Sequence, residues 1–442
     1  MPIRDIVIVS IVVLLAILAL RRPWIGVMNW TWLSIMNPHR YTWGFAYSAP
    51  VAAIAAASTL IGLLFTKERQ SPFKGPPTVW LFVFAIWMTL SWLFGYDPRG
   101  DYEQWDKVAK IYLMTFVALS LLRAKLQIIA FAWVTIASLA FLAAKGGLFT
   151  VMTGGNYRVW GPTGSFIADN NHFALATIIT IPLLHFLQQQ LRKRWQRHIM
   201  SIIMLLCVAA ALGSHSRGAL LALGAMSVVF WWRSRNKGAI GILIIIVLLV
   251  FLPFMPAEWW ERMGTIRHYD QDTSALGRIH SWLVAFEVAK DYFFGAGMSY
   301  QHEIFFRVYS DLSYGAIAAH SIYFQILGNH GFIGLAIYLA FWISSYRLAH
   351  QLSKQGNQIE TRWAAELGNM AKVSLIGFAV GGAFLSMPYF DLPYNIMVMI
   401  VLAKQWVDTQ AWRTEPNVSL LVAAGLKGTS KNALFPAKHS SD

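Results

Sequence analysis

Long apolar runs follow one another through almost the whole chain. A membrane helix needs about 20 mostly apolar residues to cross about 30 Å of hydrocarbon. Twelve runs are long enough to be candidates, and they are given below. One further run, Trp24–Met36, is short and rich in Trp, so it could lie in the interface or re-enter the membrane. The pattern predicts an all-α polytopic membrane protein that forms one transmembrane domain over residues 1–442. We predict about twelve transmembrane helices, at Ile6–Leu20, Trp43–Phe65, Val79–Phe94, Val108–Leu122, Ile128–Ala144, Phe173–Leu187, Ile199–Leu212, Ala219–Trp232, Ile240–Met255, Phe332–Ala349, Leu367–Met387 and Leu392–Trp406.

The composition agrees with the apolar runs. Hydrophobic residues make up 57% of the chain and charged residues 13%, whereas a soluble domain carries about 25% charged residues. A disordered protein, a coiled coil, a nucleic-acid-binding domain and an ordinary cytosolic enzyme are therefore excluded. The one cysteine, Cys207, excludes an intramolecular disulfide framework and a cysteine-based metal site.

The net charge of +15 indicates orientation, since short basic loops favour the cytoplasm. Two alternating segments are acidic instead: residues 95–107 hold four acids, and residues 256–316 hold eight acids against five bases. We expect those two segments outside and the tail at 407–442 in the cytoplasm. An even helix count then puts both termini inside. The basic segments are 66–74, 121–126, 191–197, 233–237 and 347–372.

Two outward segments, Gly146–Asn171 and Pro256–Ala319, are too long to be simple connections. Long loops in compact proteins are usually functional or disordered. The second has apolar residues at helical spacing over Ala275–Tyr292. We therefore predict that residues 256–319 form a large, folded helical loop on the outer face.

The turn at 212–221 places His215 and Arg217 at the outer surface between two apolar helices. Gly and Ser alone would make such a turn, so Arg217 invites a functional role. The alternative is that its guanidinium reaches lipid phosphate. Arg278, in the large loop, has the alternative of being a solvated or ion-paired arginine.

Three further features have both structural and functional interpretations. His320, where the large loop meets the next helix, and His330, in a Gly-flanked break, could each be a cap or a core residue. Segment 158–173 ends in Asp169-Asn-Asn-His172, which is typical of a helix cap but could also bind sugar or phosphate. Asp270-Gln-Asp272 resembles the metal site of nucleotide-sugar transferases, and we discount it because nucleotide sugars are cytoplasmic and this loop faces out.

Five motifs follow one another in a fixed order: Ser216-Arg-Gly-Ala-Leu-Leu-Ala-Leu223, Leu276-Gly-Arg-Ile-His-Ser-Trp-Leu-Val-Ala285, Phe294-Gly-Ala-Gly297, Ala319-His-Ser-Ile-Tyr-Phe324 and Gly328-Asn-His-Gly-Phe-Ile-Gly-Leu335. With these motifs the chain resembles, over about 199–345, the O-antigen ligase and polymerase superfamily of bacterial inner membranes. Its opening at 21–40 is similar to the O-glycosylation ligases of exosortase-containing bacteria. Ser321 and Asn329 depart from the commonest pattern, in which Asn and an acid stand at these positions.

The resemblance implies a metal-independent, inverting glycosyltransferase of the GT-C type, without a cofactor, in the bacterial inner membrane with its active site facing the periplasm. The donor would be a glycan on undecaprenyl diphosphate and the acceptor a sugar of the lipid A core. Arg217 and Arg278 would stabilise the diphosphate leaving group, and His320 would act as the base. Further substrate contacts are expected from Arg158, Asn170, His215 and Tyr323.

Three rival functions stay open. An O-antigen polymerase would use a second lipid-linked glycan as acceptor, and polymerases often have two large outer loops rich in Arg. A protein O-oligosaccharyltransferase usually carries a larger soluble C-terminal region. A lipid-linked glycan flippase, which is not an enzyme, predicts charges along a central membrane cavity. Here one outer loop dominates and the notable charges gather at the outer end, which favours the ligase.

Overall fold

The fold is helical throughout the part that the structure describes. A computed structural model describes residues 3–233, 236–264, 273–310, 315–415 and 420–424, and these contain no strand. Short 3₁₀ turns occur at Pro38–Tyr41, Phe45–Tyr47 and Ala411–Arg413. The α-helices are α1 (Ile3–Arg21), α2 (Pro23–Met36), α3 (Val51–Phe65), α4 (Pro76–Leu93), α5 (Tyr102–Leu121), α6 (Lys125–Met152), α7 (Asn170–Gln190), α8 (Arg194–Gly213), α9 (Arg217–Arg233), α10 (Lys237–Phe251), α11 (Ala257–Gly264), α12 (Thr273–Asp291), α13 (Glu303–Tyr309), α14 (Ile322–Ser353), α15 (Arg362–Gly382), α16 (Asp391–Asp408) and α17 (Leu420–Ala423).

Five of these helices are long and apolar enough to cross a membrane: α1, α4, α6, α8 and α14. Helices α3, α9 and α10 are apolar but shorter. Helix α10 has no buried residue, although nearly all of its side chains are aliphatic, and such a surface suits hydrocarbon rather than water. The prediction of about twelve spans is therefore not confirmed as a number, and the spans beyond these five stay predictions.

The N-terminal helices differ from the predicted arrangement. Trp24–Met36 lies within α2, most of whose residues are buried, rather than along an interface. The Asp5 carboxylate accepts a hydrogen bond from the Ala46 backbone N–H (2.9 Å). At the other end of α1, Arg22 lies 3.9 Å from Glu68, which also pairs with Arg123. The two ends of α1 therefore lie apart, and its start lies away from segment 66–74. This does not agree with the expectation that the N-terminus lies on the side of the basic segments.

The predicted inner segments do lie together. Glu68, in segment 66–74, pairs with Arg123 in segment 121–126. The Lys125 backbone N–H donates to Glu415, which follows the last long helix (2.9 Å). We name this end of the bundle the inner end. The start of the tail is therefore at the inner end, whereas residues 425–442 lie outside the described residues, and the cytoplasmic location of the tail stays a prediction.

The described parts of the large loop are folded and are anchored at the opposite, outer end. Helix α12 covers the range in which the sequence predicts a helix. The backbone N–H of Tyr96 donates to the Ala296 carbonyl (2.8 Å), and the Asp101 carboxylate accepts from the Met298 N–H (2.6 Å). The 294–300 segment therefore packs against the turn between α4 and α5.

Helix α14 is kinked where this segment meets it. Gly331 has φ 69° and ψ −176° inside the helix, a left-handed conformation that glycine adopts at little cost. A Cβ there would lie 2.6 Å from the Phe293 carbonyl oxygen. The kink thus allows the loop backbone to approach α14 closely.

Candidate active site

The start of α7 is capped as the sequence predicts. The Asp169 carboxylate accepts hydrogen bonds from the backbone N–H groups of Asn171 (2.8 Å) and His172 (3.4 Å). Burial alone would raise the pKa of Asp169, but the hydrogen bonds from Asn171 to the ionised form prevail and lower it. The carboxylate is therefore charged at neutral pH, at a helix end where a negative charge is favourable.

The turn between α8 and α9 is held from two sides. The Asn170 side-chain amide donates to the Ser214 carbonyl (2.6 Å). His215 is buried and has a left-handed backbone (φ 57°), and its Nε2 donates to the Gly155 carbonyl (2.9 Å). Because both side chains fix the turn, the start of α9 is fixed as well. Arg217 is the first residue of α9 and is partly exposed.

Helix α12 holds the segment that carries His320. Ser281 donates to the Ile317 carbonyl and the Trp282 indole donates to the Ala319 carbonyl, and each hydrogen bond is 2.7 Å long. The Trp282 ring also stacks on Phe324, with 4.8 Å between the ring centroids. Both flanks of His320 are thereby tied to one face of one helix. Arg278 lies about one turn before these anchors on the same helix.

His320 has a strained backbone and an unusual side-chain environment. Its φ is 45°, and a left-handed conformation costs a non-glycine residue about 1–3 kcal/mol. Its Nδ1 is buried and has no hydrogen-bond partner among the described residues, while the side chain as a whole is partly exposed. Strain and a polar atom without a partner are typical of residues kept for function.

Charged and titratable groups surround His320. Burial lowers the pKa of His320 to about 4; Arg278 and then His172 act in the same direction, and Asp169 opposes them. These three residues therefore lie within electrostatic range of the ring. The imidazole is neutral at pH 7 and free to accept a proton. An anion bound beside Arg278 would offset the arginine charge and raise the pKa of His320, making it a stronger base.

The N-terminal ends of three helices come together here. Asn170 joins the start of α7 to the turn before α9, and His172 and Asp169 join it electrostatically to His320, just before α14. Each start carries the positive end of a helix dipole. At α7 the Asp169 carboxylate already caps that end, whereas the start of α14 has no side-chain cap, so the field at α14 adds to that of Arg278 in favouring an anion.

Comparison with protein families identifies two parts of the chain. Residues 200–339 match the O-antigen ligase family, and residues 3–194 match a family of unknown function, DUF5935. No curated protein matches the chain. The match at 200–339 supports membership of the O-antigen ligase and polymerase superfamily. With its several apolar helices, the chain is a multi-pass membrane protein.

The site spans both matched regions. Arg217, Arg278 and His320 lie within the O-antigen ligase match at 200–339. Asp169 and His172 lie within the region of unknown function at 3–194. The region at 3–194 thus supplies one side of the site. Its sequence gives one signal for this, the Asp-Asn-Asn-His run, which can also be interpreted as a simple helix cap.

The four further candidates have different surroundings. Asn170 and His215 bind backbone carbonyls, as described above. The Tyr323 hydroxyl donates to the Ala379 carbonyl (2.8 Å). Arg158 is exposed on the segment between α6 and α7. Their contacts with substrate stay predictions, and the first three have structural roles that the sequence did not indicate.

One cavity lies apart from His320. A cavity of about 1330 Å³ opens at the inner end, lined by residues such as Gln188, Arg197 and Arg362, and holds none of the candidate residues. Within the described ranges no group of three or more His, Cys, Asp or Glu side chains could hold a metal ion. Asp270 and Asp272 lie outside the described residues.

Proposed function

We propose that this protein is an O-antigen ligase. It transfers a glycan from undecaprenyl diphosphate to a sugar hydroxyl of the lipid A core, at the periplasmic face of the bacterial inner membrane. The observation that carries the proposal is the placement of a neutral, partly exposed His320 within range of Arg278, inside the region that matches the O-antigen ligase family. The reaction follows the inverting, metal-independent course of a GT-C enzyme.

The chemical step needs one base. The acceptor hydroxyl oxygen attacks the anomeric carbon, its proton passes to the His320 imidazole, and the bond from that carbon to the diphosphate oxygen breaks. One displacement inverts the anomeric configuration. The paired carboxylates of glycoside hydrolases are not needed, because a diphosphate leaves without a proton. The protonated His320 then releases its proton to water.

The leaving group needs positive charge. Negative charge grows on the bridging oxygen of undecaprenyl diphosphate as the bond breaks. Arg217 and Arg278 are assigned to this charge, because a fixed guanidinium binds phosphate oxygens bidentately. The helix starts of α9 and α14 add a favourable field of the same sign, which is worth most when it is already in place before the reaction, whereas the Asp169 carboxylate offsets the field at the start of α7.

The acceptor decides between the ligase and its relatives. Purified protein in nanodiscs is given undecaprenyl-diphosphate glycan and, separately, lipid A core, a second lipid-linked glycan or a pilin-like protein. We expect transfer to lipid A core. Transfer only to the lipid-linked glycan would identify a polymerase, transfer only to protein an oligosaccharyltransferase, and movement of the donor across the bilayer without transfer a flippase.

The same assay tests metal independence. We expect activity to persist in EDTA, since arginines and helix ends provide the positive charge. Loss of activity in EDTA that returns with Mg²⁺ would contradict this and would return attention to Asp270 and Asp272.

A further inference from the structure

A second group of cations lies at the outer end, in the region of unknown function. Three basic side chains there pack against aromatic rings. The distances to the ring centroids are 3.9 Å from the Lys107 Nζ to Phe166, 5.2 Å from the Lys145 Nζ to Tyr41, and 4.9 Å from the Arg40 Cζ to Tyr47. We name Arg40, Lys107 and Lys145 the outer cation cluster.

The three side chains belong together. Arg40 acts electrostatically on Lys107. Tyr41, whose ring packs against Lys145, directly follows Arg40 in the chain. A Cβ at Gly164 would lie 3.6 Å from the Arg40 Cζ. Gly164 is two residues before Phe166, so the same stretch contacts both Arg40 and Lys107. One short loop thus gathers side chains from three distant parts of the sequence.

The positive charge of the cluster is only partly compensated. None of the ion pairs among the described residues includes Arg40, Lys107 or Lys145. Lys107 lies within electrostatic range of Asp391 and Glu103. An aromatic ring orients a cation but leaves its net charge unchanged. Arg40 and Lys145 therefore keep a positive field directed at whatever occupies this end.

The cluster adjoins the proposed base through one loop. The Phe166 ring holds Lys107, while the Phe166 backbone forms a hydrogen bond with the His172 side chain. His172 in turn lies within electrostatic range of His320. The cluster and the Arg278 side of the site therefore approach the imidazole through different neighbours.

We propose that the outer cation cluster binds a phosphate group of the acceptor glycolipid and so presents the acceptor hydroxyl to His320. This inference rests on the proposed function, in which Arg217 and Arg278 already hold the donor diphosphate. A second anionic substrate needs a second cationic site, since two phosphate-bearing lipids that share one site would repel each other. Phosphate groups on a membrane-anchored saccharide are the chemistry that lysine and arginine side chains bind.

The test compares one double lysine variant, with changes in α5 and α6, with a matched control. Lys107→Gln combined with Lys145→Gln removes two charges of the cluster. Lys110→Gln removes an exposed charge from the same helix as Lys107, where Lys110 pairs with Asp106. Transfer is measured at saturating donor, with phosphorylated acceptor and with the same acceptor after enzymatic removal of its phosphates.

We expect the double variant to raise the KM for phosphorylated acceptor roughly tenfold, which corresponds to about 1.4 kcal/mol. The kcat and the donor KM should stay within about twofold of their values in the unaltered protein, a difference of about 0.4 kcal/mol, and Lys110→Gln should behave like the unaltered protein. With dephosphorylated acceptor the difference between the double variant and the unaltered protein should vanish. A rise in the donor KM alone, or an equal rise for both acceptors, would overturn the proposal.

Direct binding separates this proposal from the proposed reaction. The full chain in zwitterionic phosphatidylcholine nanodiscs is titrated with phosphorylated acceptor in the absence of donor. Binding that weakens in the double variant supports the cluster, even if no transfer to lipid A core is found. Equal binding by both proteins would overturn it, and so would binding that phosphatidylglycerol in the discs abolishes, because the cluster would then recognise bulk anionic lipid.

Discussion

Two histidines stand ten residues apart, one just before α14 and one inside it, and their surroundings differ. His330 is fully buried; its Nε2 shares a 2.7 Å hydrogen bond with the Tyr389 hydroxyl, and its carbonyl accepts from the Trp87 indole (2.8 Å). His320 is partly exposed. The Nδ1 of each ring has no hydrogen-bond partner among the described residues, so the two histidines differ in exposure and in the bond that the Nε2 of His330 makes to Tyr389. The chemistry of one imidazole is committed to packing, whereas that of the other is available to a substrate.

The backbone at the two positions supports the same division. Beside His330, the neighbouring Gly331 takes the left-handed conformation and relieves the strain. At the other position, His320 itself is left-handed. A glycine would be easier at that point, so an imidazole there repays its cost only through what the side chain does.

The largest expected effect is on catalysis and comes from a change at His320. His320→Gln removes the base, and we expect kcat for glycan transfer to fall by about 10²–10⁴-fold. The melting temperature of the purified protein should change little, because the lost ring is partly exposed and its flanks are held by Ser281 and Trp282. The measurement is initial-rate transfer beside thermal unfolding in the same detergent.

Near-normal kcat in His320→Gln would remove the base from the mechanism. A large fall in melting temperature would be a different result, since His320 would then resemble His330 and the comparison between them would collapse.

The next largest effect is on stability and comes from a change at His330. His330→Phe keeps an aromatic ring beside Phe84, with which His330 makes an edge-to-face contact at 5.6 Å, but it loses the hydrogen bond to Tyr389. We expect the free energy of unfolding to fall by about 1–3 kcal/mol, the cost of leaving a buried hydroxyl poorly satisfied. Activity per folded molecule should stay within a few fold of normal, measured at a temperature well below the melting transition. Loss of kcat at unchanged stability would mean that His330 has been assigned to the wrong class.

The sequence predicts much of this division and misses the parts that depend on three-dimensional contacts. Hydropathy predicts helices at Ile6–Leu20 and Ala275–Tyr292, because helical periodicity is local. Trp24–Met36 escapes it, since a 14-residue helix is too short for the length criterion and is fixed by its neighbours in the core. The predicted side of the N-terminus depends on whether this helix is counted as a span, which is why that prediction does not agree with the arrangement of α1 and α2.

The site shows the same limit. The motifs around Arg217, Arg278 and His320 are recognisable in the sequence, whereas His172 reaches His320 only because Asp169 ends a long loop at that point. Asn329 illustrates the converse. Its amide donates to the Met298 carbonyl (2.6 Å) and its oxygen accepts from the Tyr300 N–H (3.0 Å), a pairing that a carboxylate, which only accepts, would not make. The departure from the commoner acid is thus explained by the loop that packs there.

The smallest expected effect is a shift in pH dependence that reports on His320 alone. The basic form of His320 is the active one, so kcat/KM should be flat near neutral pH and should fall as the pH drops through about 4, the pKa of the free enzyme. A charge on His172 holds that pKa down, so His172→Gln should raise it and move the acid limb to higher pH. His185→Gln, at the other end of the same helix, should leave the limb in place. An unmoved limb in His172→Gln, or an equal shift in both variants, would show that the titrating group is not His320. A shift that occurs in His172→Gln and is absent from His330→Phe would assign the acid limb to His320 and not to His330.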